Sequence, residues 1–373
     1  MKVFWWGILC LLWGGGALAA EPCPTRPIDQ PRWAQGFSFK AGPGYRILTV
    51  SKAWQAAEDS QQYLLLRRGC PAPADLADLP RIAVPVKRLV ALSTTYLPSL
   101  VILGQQDRLV ATTEFDFINT PQIRQLVEAG KLQEIGPEVE GELENLVTLE
   151  PDLILGFALS QRGARSKELL ERLGMPLVIT GGHLEKSPLG RAEWILVLAA
   201  LFDAQIPAQE HLDRISTEYL QLVTQARNAE PKPLVFVGSE FKGVWYVPGG
   251  QTYQSTMVQD AGGRYLWADN DEQGSLHLDF EAVLMQAASA DIWLNPALWR
   301  DLSIARQERR FDAFKAIRTG QVYNYDNRLN PKGGNDYWET GSAYPNRVLK
   351  DLIKLLHPEL LPEHQLYWYR RLQ

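Results

Sequence analysis

The chain has 373 residues, of which 46% are hydrophobic and 22% charged, and a formal net charge of −5. That length suits two ordinary domains, and the composition supplies a normal globular core. The acidic balance excludes a dedicated nucleic-acid binder, which needs a basic face to neutralise phosphates.

The first twenty residues read as a targeting segment. Lys2 opens a short basic region, VFWWGILCLLWGGGALA is an apolar run, and the small residues around Ala17 to Ala20 predict removal after Ala19 or Ala20. The other reading is a retained membrane anchor, for which the glycine-broken run is short. Removal leaves Cys23 and Cys70, an even pair that predicts a disulfide in an exported protein. Two unrelated thiols are the alternative.

Residues 21–87 read as a β-rich extension. GFSFKAGPGYRILTV alternates about Gly42-Pro43-Gly44, a hairpin signal, and QQYLLLRRG reads as a further strand. A proline-rich connector, PAPADLADLPR, follows.

From residue 88 to 206 strands and helices alternate. RLVAL, RLVATT, DLILGF and PLVIT are strands; YLPSLVILG, TPQIRQLVEAG, SKELLERLG and AEWILVLAALF are helices, several stopped by Gly. Such alternation builds a parallel sheet covered by helices. From Ala208 to Ala229 no Gly or Pro interrupts the chain, and Leu212, Ile215, Tyr219, Leu222 and Val223 recur at helical spacing. Residues 207–230 are therefore a long connector helix, ended by Pro231 and Pro233. Strand–helix alternation resumes over residues 231–373, with PLVFVG, VWYV, DIWLN and QVYNY as strands and AYPNRVLKDLIKLL as the last helix. One unit occurs in both halves: ENLVTLEPDLIL from Glu144 and EAVLMQAASADIWL from Glu281, each a glutamate, a short helix and a hydrophobic strand.

These elements together carry a resemblance. RLVALSTTYLPSLVILGQQDRLVATT resembles the first βαβ unit of the solute-binding proteins that bring ferric siderophores, haem or vitamin B12 to ABC importers. IGPEVEGELENLVTLEPDLILGF is similar to their next segment, and the long helix to their rigid connector. The resemblance spans about residues 85–357. It implies an α/β fold of two Rossmann-like lobes with largely parallel sheets, joined by one long α-helix, here with the β-rich extension added. It implies a ligand in the cleft between the lobes, a ferric siderophore first and cobalamin or haem as alternatives. It also implies a permease dimer in the inner membrane as partner, with Glu144 and Glu281 as one docking charge per lobe. A glutamate in the first turn of a helix is favoured by the helix dipole as well. The mature protein is expected in the periplasm, as a monomer.

Ligands of such sheets sit at the carboxyl ends of the strands and between domains. Loops placed there hold Tyr96, Phe115, Phe117, Trp245, Tyr246, Tyr253, Tyr337 and Trp338, aromatics suited to a large chelated ligand. Arg328 is the candidate grip for a carboxylate or catecholate oxygen, with Asn335 as a neutral partner. A surface salt bridge from Arg328 to Asp326 or Glu339 is the competing reading. The five histidines (His183, His211, His277, His357 and His364) are scattered, so no direct metal site and no cofactor are expected. Metal would arrive already chelated.

No GxSxG elbow and no HExxH motif occurs. Asp336 and Glu339 are the only acid/base pair that an enzymatic reading offers, and a binding protein is expected instead. A scaffold working through residues 21–84 is a further class.

Overall fold

The computed structural model describes residues 23–373 except 26, 28, 55, 56, 58, 137–140, 158–168 and 171. The expected targeting segment, and residues 166–168 and 171 of the helix expected at SKELLERLG, lie outside the described residues.

The chain begins with four strands, β1 (Phe37–Gly42), β2 (Tyr45–Val50), β3 (Gln61–Arg67) and β4 (Arg81–Val84). They pair in sequence order, antiparallel except for the last pair. Pro43 and Gly44 make the hairpin turn. Pro presets its second position, and Gly44 takes the φ of 73° that the third demands. Cys23 and Cys70 form a disulfide packed against this glycine. Leu48, Tyr63, Leu65 and Ile82 belong to the same hydrophobic core as Leu89, Ile154 and Val197. The sequence boundary at residue 87 thus marks a change of topology, not a break in packing.

The first lobe is an all-parallel sheet of β5 (Leu89–Ala91), β6 (Leu109–Thr113), β7 (Gln133–Ile135), β8 (Leu153–Phe157) and β9 (Leu177–Thr180), ordered β7-β6-β5-β8-β9. Its helices include α1 (Leu97–Ile102), α2 (Pro121–Glu128), α3 (Leu143–Leu149), α4 (Pro188–Glu193) and α5 (Ile195–Phe202). The single helix expected over 192–202 is two helices meeting at Trp194. All residues of α5 are buried, so no amphipathic stripe reveals where it begins.

The connector is α6 (Gln205–Arg227), 23 residues and about 35 Å long. Its first half gives Leu212 and Ile215 to one core, and its second half gives Tyr219 and Leu222 to the other.

The second lobe has β10 (Leu234–Val237), a small antiparallel sheet of β11 (Ser239–Phe241), β12 (Val244–Pro248) and β14 (Ser275–Leu278), and the short β13 (Arg264–Tyr265). Strands β15 (Ile292–Leu294), β16 (Val322–Asn324) and β17 (Arg370–Arg371) complete a main sheet ordered β13-β10-β15-β16-β17, parallel but for β17. Its helices include α7 (Tyr253–Asp260), α8 (Phe280–Ala287), α9 (Ser303–Gln307), α10 (Lys315–Thr319), α11 (Asp336–Thr340) and α12 (Pro345–Leu356). The C-terminal tail folds back and is held by Asp351 of α12, which is fully buried. Its carboxylate accepts the backbone N–H groups of Tyr367, Trp368 and Tyr369 and faces His364 Nε2 at 2.7 Å.

Asp351→Ala orphans these donors together. It should cost at least about 3 kcal/mol of stability, read as a lowered urea midpoint, because each unsatisfied buried group costs about 1–3 kcal/mol.

Candidate functional site

Parallel strands deliver their carboxyl ends to one edge of each lobe. In the first lobe Ser93–Tyr96 follow β5, Glu114–Phe117 follow β6 and Gly181–His183 follow β9. In the second, Asn295–Trp299 follow β15 and Tyr325–Arg328 follow β16. The two edges face each other across a crevice.

One end of the crevice is a cavity of about 490 Å3, with Thr94 and Phe117 on one side and Leu298, Tyr325, Asn335 and Trp338 on the other. Its lip is apolar: Phe117 is 44% exposed, Trp338 48% and Leu298 86%. Leu298 is carried on a strained turn. Asn295 and Ala297 take positive φ values of 63° and 56°, and the buried Asn324 amide donates to the carbonyls of Ala297 and Trp299. Non-glycine residues are held in the left-handed region only where the surroundings dictate it, and such strain gathers at ligand sites.

Aromatic rings form the floor. Tyr325 stacks on Tyr337 at 4.6 Å, and Trp338 meets Tyr325 edge-on at 5.2 Å. Burial drives the phenols of Tyr325, Tyr337 and Tyr369 well above the usual tyrosine range, so they stand as neutral hydroxyls.

A narrow passage past Tyr253, Tyr337 and Trp338 leads to the other end, a cavity of about 140 Å3 walled by Tyr96, Phe157, His183, Arg191 and Trp194, with Ser342 reaching in from the second lobe. Arg191 borders both spaces. Its guanidinium lies 3.9 Å over the Tyr253 ring and has no carboxylate partner among the described residues. His183 is pushed down to about 4, by burial and then by the Arg191 charge, so its imidazole is neutral. The Tyr96 hydroxyl and Thr180 Oγ1 share a 2.7 Å hydrogen bond at this end.

The lobes also touch directly. Glu339 of α11, 1% exposed, accepts Asn119 N, Thr120 N and Thr120 Oγ1 from the start of α2. Asn330 donates to the carbonyls of Asp116 and Ile118, and Gly334 lies against the Phe117 backbone, where a Cβ would collide. Burial raises the Glu339 carboxyl above its usual range, and the hydrogen bonds from Thr120 and Asn119 oppose that shift.

The structure brings Tyr96, Phe117, Tyr253, Asn335, Tyr337 and Trp338 to the crevice. Other sequence-derived candidates lie elsewhere. Trp245 is fully buried in the second core against Phe236 and Trp293, so it has no surface for a ligand. Tyr246 points outward from the small sheet with its ring on His277. Phe115 packs half-buried on the first core. Arg328 pairs with Asp336 at 3.2 Å and stacks over Tyr367 at 4.2 Å, in a shallow side cleft. Its expected partners are taken: Asp326 pairs with Arg370, and Glu339 bridges the lobes. Asp336 and Glu339 are both buried and committed to other partners, Asp336 to Arg328 and Trp368, Glu339 to Asn119 and Thr120. Glu144 and Glu281 are exposed on α3 and α8. Sequence reasoning missed Arg191, His183, Leu298 and Tyr325. Arg191 carried a usable signal, a lone cation just ahead of an all-apolar helix.

No group of three or more His, Cys, Asp or Glu side chains able to hold a metal, and no helix long and apolar enough to cross a membrane, occurs among the described residues.

Comparison with known proteins gives three findings. A family model described as "Periplasmic binding protein" matches residues 89–329. An uncharacterized lipoprotein of Methanocaldococcus jannaschii is 24% identical over 330 residues, covering 83% of this chain and 75% of its own. Among solved structures, a possible iron-binding (periplasmic solute-binding) protein of Staphylococcus epidermidis superposes with TM-score 0.57 at 18% identity, over 73% of this chain and 99% of that one. The periplasmic vitamin B12 binding protein of Vibrio cholerae does so with TM-score 0.52 at 17% identity, over 75% and 99%.

The His183 shift gives a pH signature. Its folded pKa, about 4, lies below the unfolded value, so the unfolded chain binds the extra proton between the two. The stability it contributes is present above about pH 6.5 and is lost as pH falls towards about 4. Urea midpoints of the wild type should fall over that window more steeply than those of His183→Gln.

Proposed function

Because the chain belongs to the periplasmic binding protein family, we propose that it captures a ferric siderophore between its lobes and delivers it to the permease dimer of an ABC importer. That family is one of binding proteins, not enzymes. The observation that carries the ligand choice is Arg191: a half-buried guanidinium, stacked on Tyr253, without a carboxylate partner among the described residues, where the small cavity meets the passage beside Tyr253 and Tyr337. A crevice built this way asks for an anionic group. The aromatic floor and apolar lip suit the organic periphery of a chelate. The metal arrives as part of the substrate, and no resident cofactor is needed.

A second reading rests on His183. Its neutral imidazole stands on the wall of the small cavity, which suits a haem or corrinoid with an open axial position. The iron-binding and vitamin B12 binding descriptions of similar folds support ligands of both kinds.

The signal segment is cleaved after Ala19 or Ala20, and the mature monomer works in the periplasm. Glu144 and Glu281 stand exposed in the first turns of α3 and α8, which precede β8 and β15 in corresponding places of the two lobes. One charge per lobe suits a partner with two equivalent basic sockets.

Titration of the mature protein with a ferric catecholate, a ferric hydroxamate, haem and cobalamin, followed by Trp fluorescence, tests the ligand. Binding without turnover is expected, and no binding of any of them at micromolar concentration sinks the reading. Arg191→Gln should weaken the anionic chelate by about 1.5–3 kcal/mol, roughly ten- to a hundredfold. Glu144→Arg and Glu281→Arg should abolish import while leaving ligand affinity unchanged; lost affinity would place these residues in the binding site instead.

A further inference from the structure

The N-terminal sheet lies outside the matched family region. Its contacts converge on one place. The backbone entering β1 is clamped by two buried carboxylates of the first lobe. Glu193, 2% exposed, accepts the N–H groups of Arg32, Trp33 and Ala34 at 2.6–2.7 Å. Glu185, 7% exposed, accepts those of Gln35 and Gly36 at 2.9–3.1 Å.

The same Glu185 oxygen that takes Gly36 also takes the indole N–H of Trp194 at 3.0 Å. Trp194 walls the small cavity, three residues after Arg191, and Glu185 follows His183 by two residues. Phe37 of β1 meets the Trp194 ring edge-on at 4.9 Å. Gly36 lies so close that an added Cβ would sit 2.8 Å from the Trp194 ring and 3.0 Å from Glu185 Oε1. At the same end of the sheet, where Ser51 N donates to the Gly36 carbonyl, the Lys52 carbonyl presses on Gly181, where the loop carrying His183 begins.

We propose that the N-terminal sheet is a positioning element of the ligand site, with Glu185 as the residue through which it fixes the wall formed by His183, Arg191 and Trp194. The physical reason is rotamer control. A ligand wall keeps its geometry only when groups behind it lock its side chains. Here the lock is a carboxylate shared between strand-entry amides and an indole, an arrangement of charge-assisted hydrogen bonds that sets the ring plane. The sheet does not touch the crevice itself. It acts from behind. The ligand part of this inference rests on the reading of the crevice given above.

The test uses the full mature chain. Gly36→Ala adds one methyl against Trp194, and Gly36 is outside the left-handed region, so its backbone accepts alanine. Affinity for the ferric chelate should fall about tenfold, the lower end of effects seen for outer-shell partners of ligand-holding groups. In the absence of ligand, the His183 titration followed by NMR, assigned with His183→Gln, should move up from about 4 as the wall loosens and water enters. Glu185→Gln keeps the size and removes the shared charge. It should weaken chelate binding similarly and speed amide exchange at Gly181–His183, which serves if Gly36→Ala does not fold.

Lowered thermal stability with wild-type affinity, His183 titration and amide exchange would overturn the proposal and leave the sheet a stabiliser only. A wild type that binds no chelate, while Gly36→Ala still moves the His183 titration, would retire the ligand reading and keep the positioning role.

Discussion

The buried carboxylate of Glu339 sets how the two lobes meet. An ionised carboxylate away from water is costly unless donors surround it, and these donors come from the opposite lobe, at the start of α2 where the helix dipole adds favourable field. With α6 shared between both cores at the back and Glu339 clasped at the side, the crevice has a defined width. Opening must pull Glu339 from Thr120 and slide Gly334 off Phe117, so lobe separation is coupled to rehydrating the Glu339 carboxyl group. The surface around Thr94, Phe117, Leu298 and Trp338 is therefore held in register by a contact that binds no ligand itself.

The same device recurs. Glu185, Glu193, Glu339 and Asp351 are all buried, and each collects backbone N–H groups from a segment distant in sequence. Two of them clamp the N-terminal segment behind the wall with His183 and Arg191. One clamps the C-terminal tail, whose Trp368 and Tyr369 pack edge-on to Tyr337 in the aromatic floor. Both chain ends thus brace the crevice from outside, one per lobe. This explains why so polar a device sits in the interior: apolar packing fixes distance loosely, whereas a carboxylate with several aligned donors fixes orientation.

Much of the fold could be read from the sequence because its determinants are local. Glycine stops, the uninterrupted helical run of α6 and apolar strand runs mark strand–helix alternation around one long helix, and the even count of cysteines beyond the targeting segment points to the Cys23–Cys70 pairing. The site was less legible. In VWYVP the two-residue period of a strand puts Trp245 inward and Tyr246 outward, so neither lines the crevice, although both looked like cleft aromatics from their loop. Arg328 was read against its sequence neighbours, yet its partner is Asp336, one helix start away. Arg191 lay at the front of an apolar run whose break at Trp194 left no periodic trace. The Glu339 clasp joins residues more than two hundred positions apart, which no local pattern encodes.

Leu298 has a consequence for how this protein changes over generations. It is 86% exposed, belongs to neither core, and sits on a turn whose strain is borne by Asn324 and the neighbouring backbone. Replacing its side chain alters the lip of the larger cavity while leaving folding almost untouched. Duplicated copies of this gene would diverge most cheaply there, trading one cargo for another before any residue of the scaffold had to move.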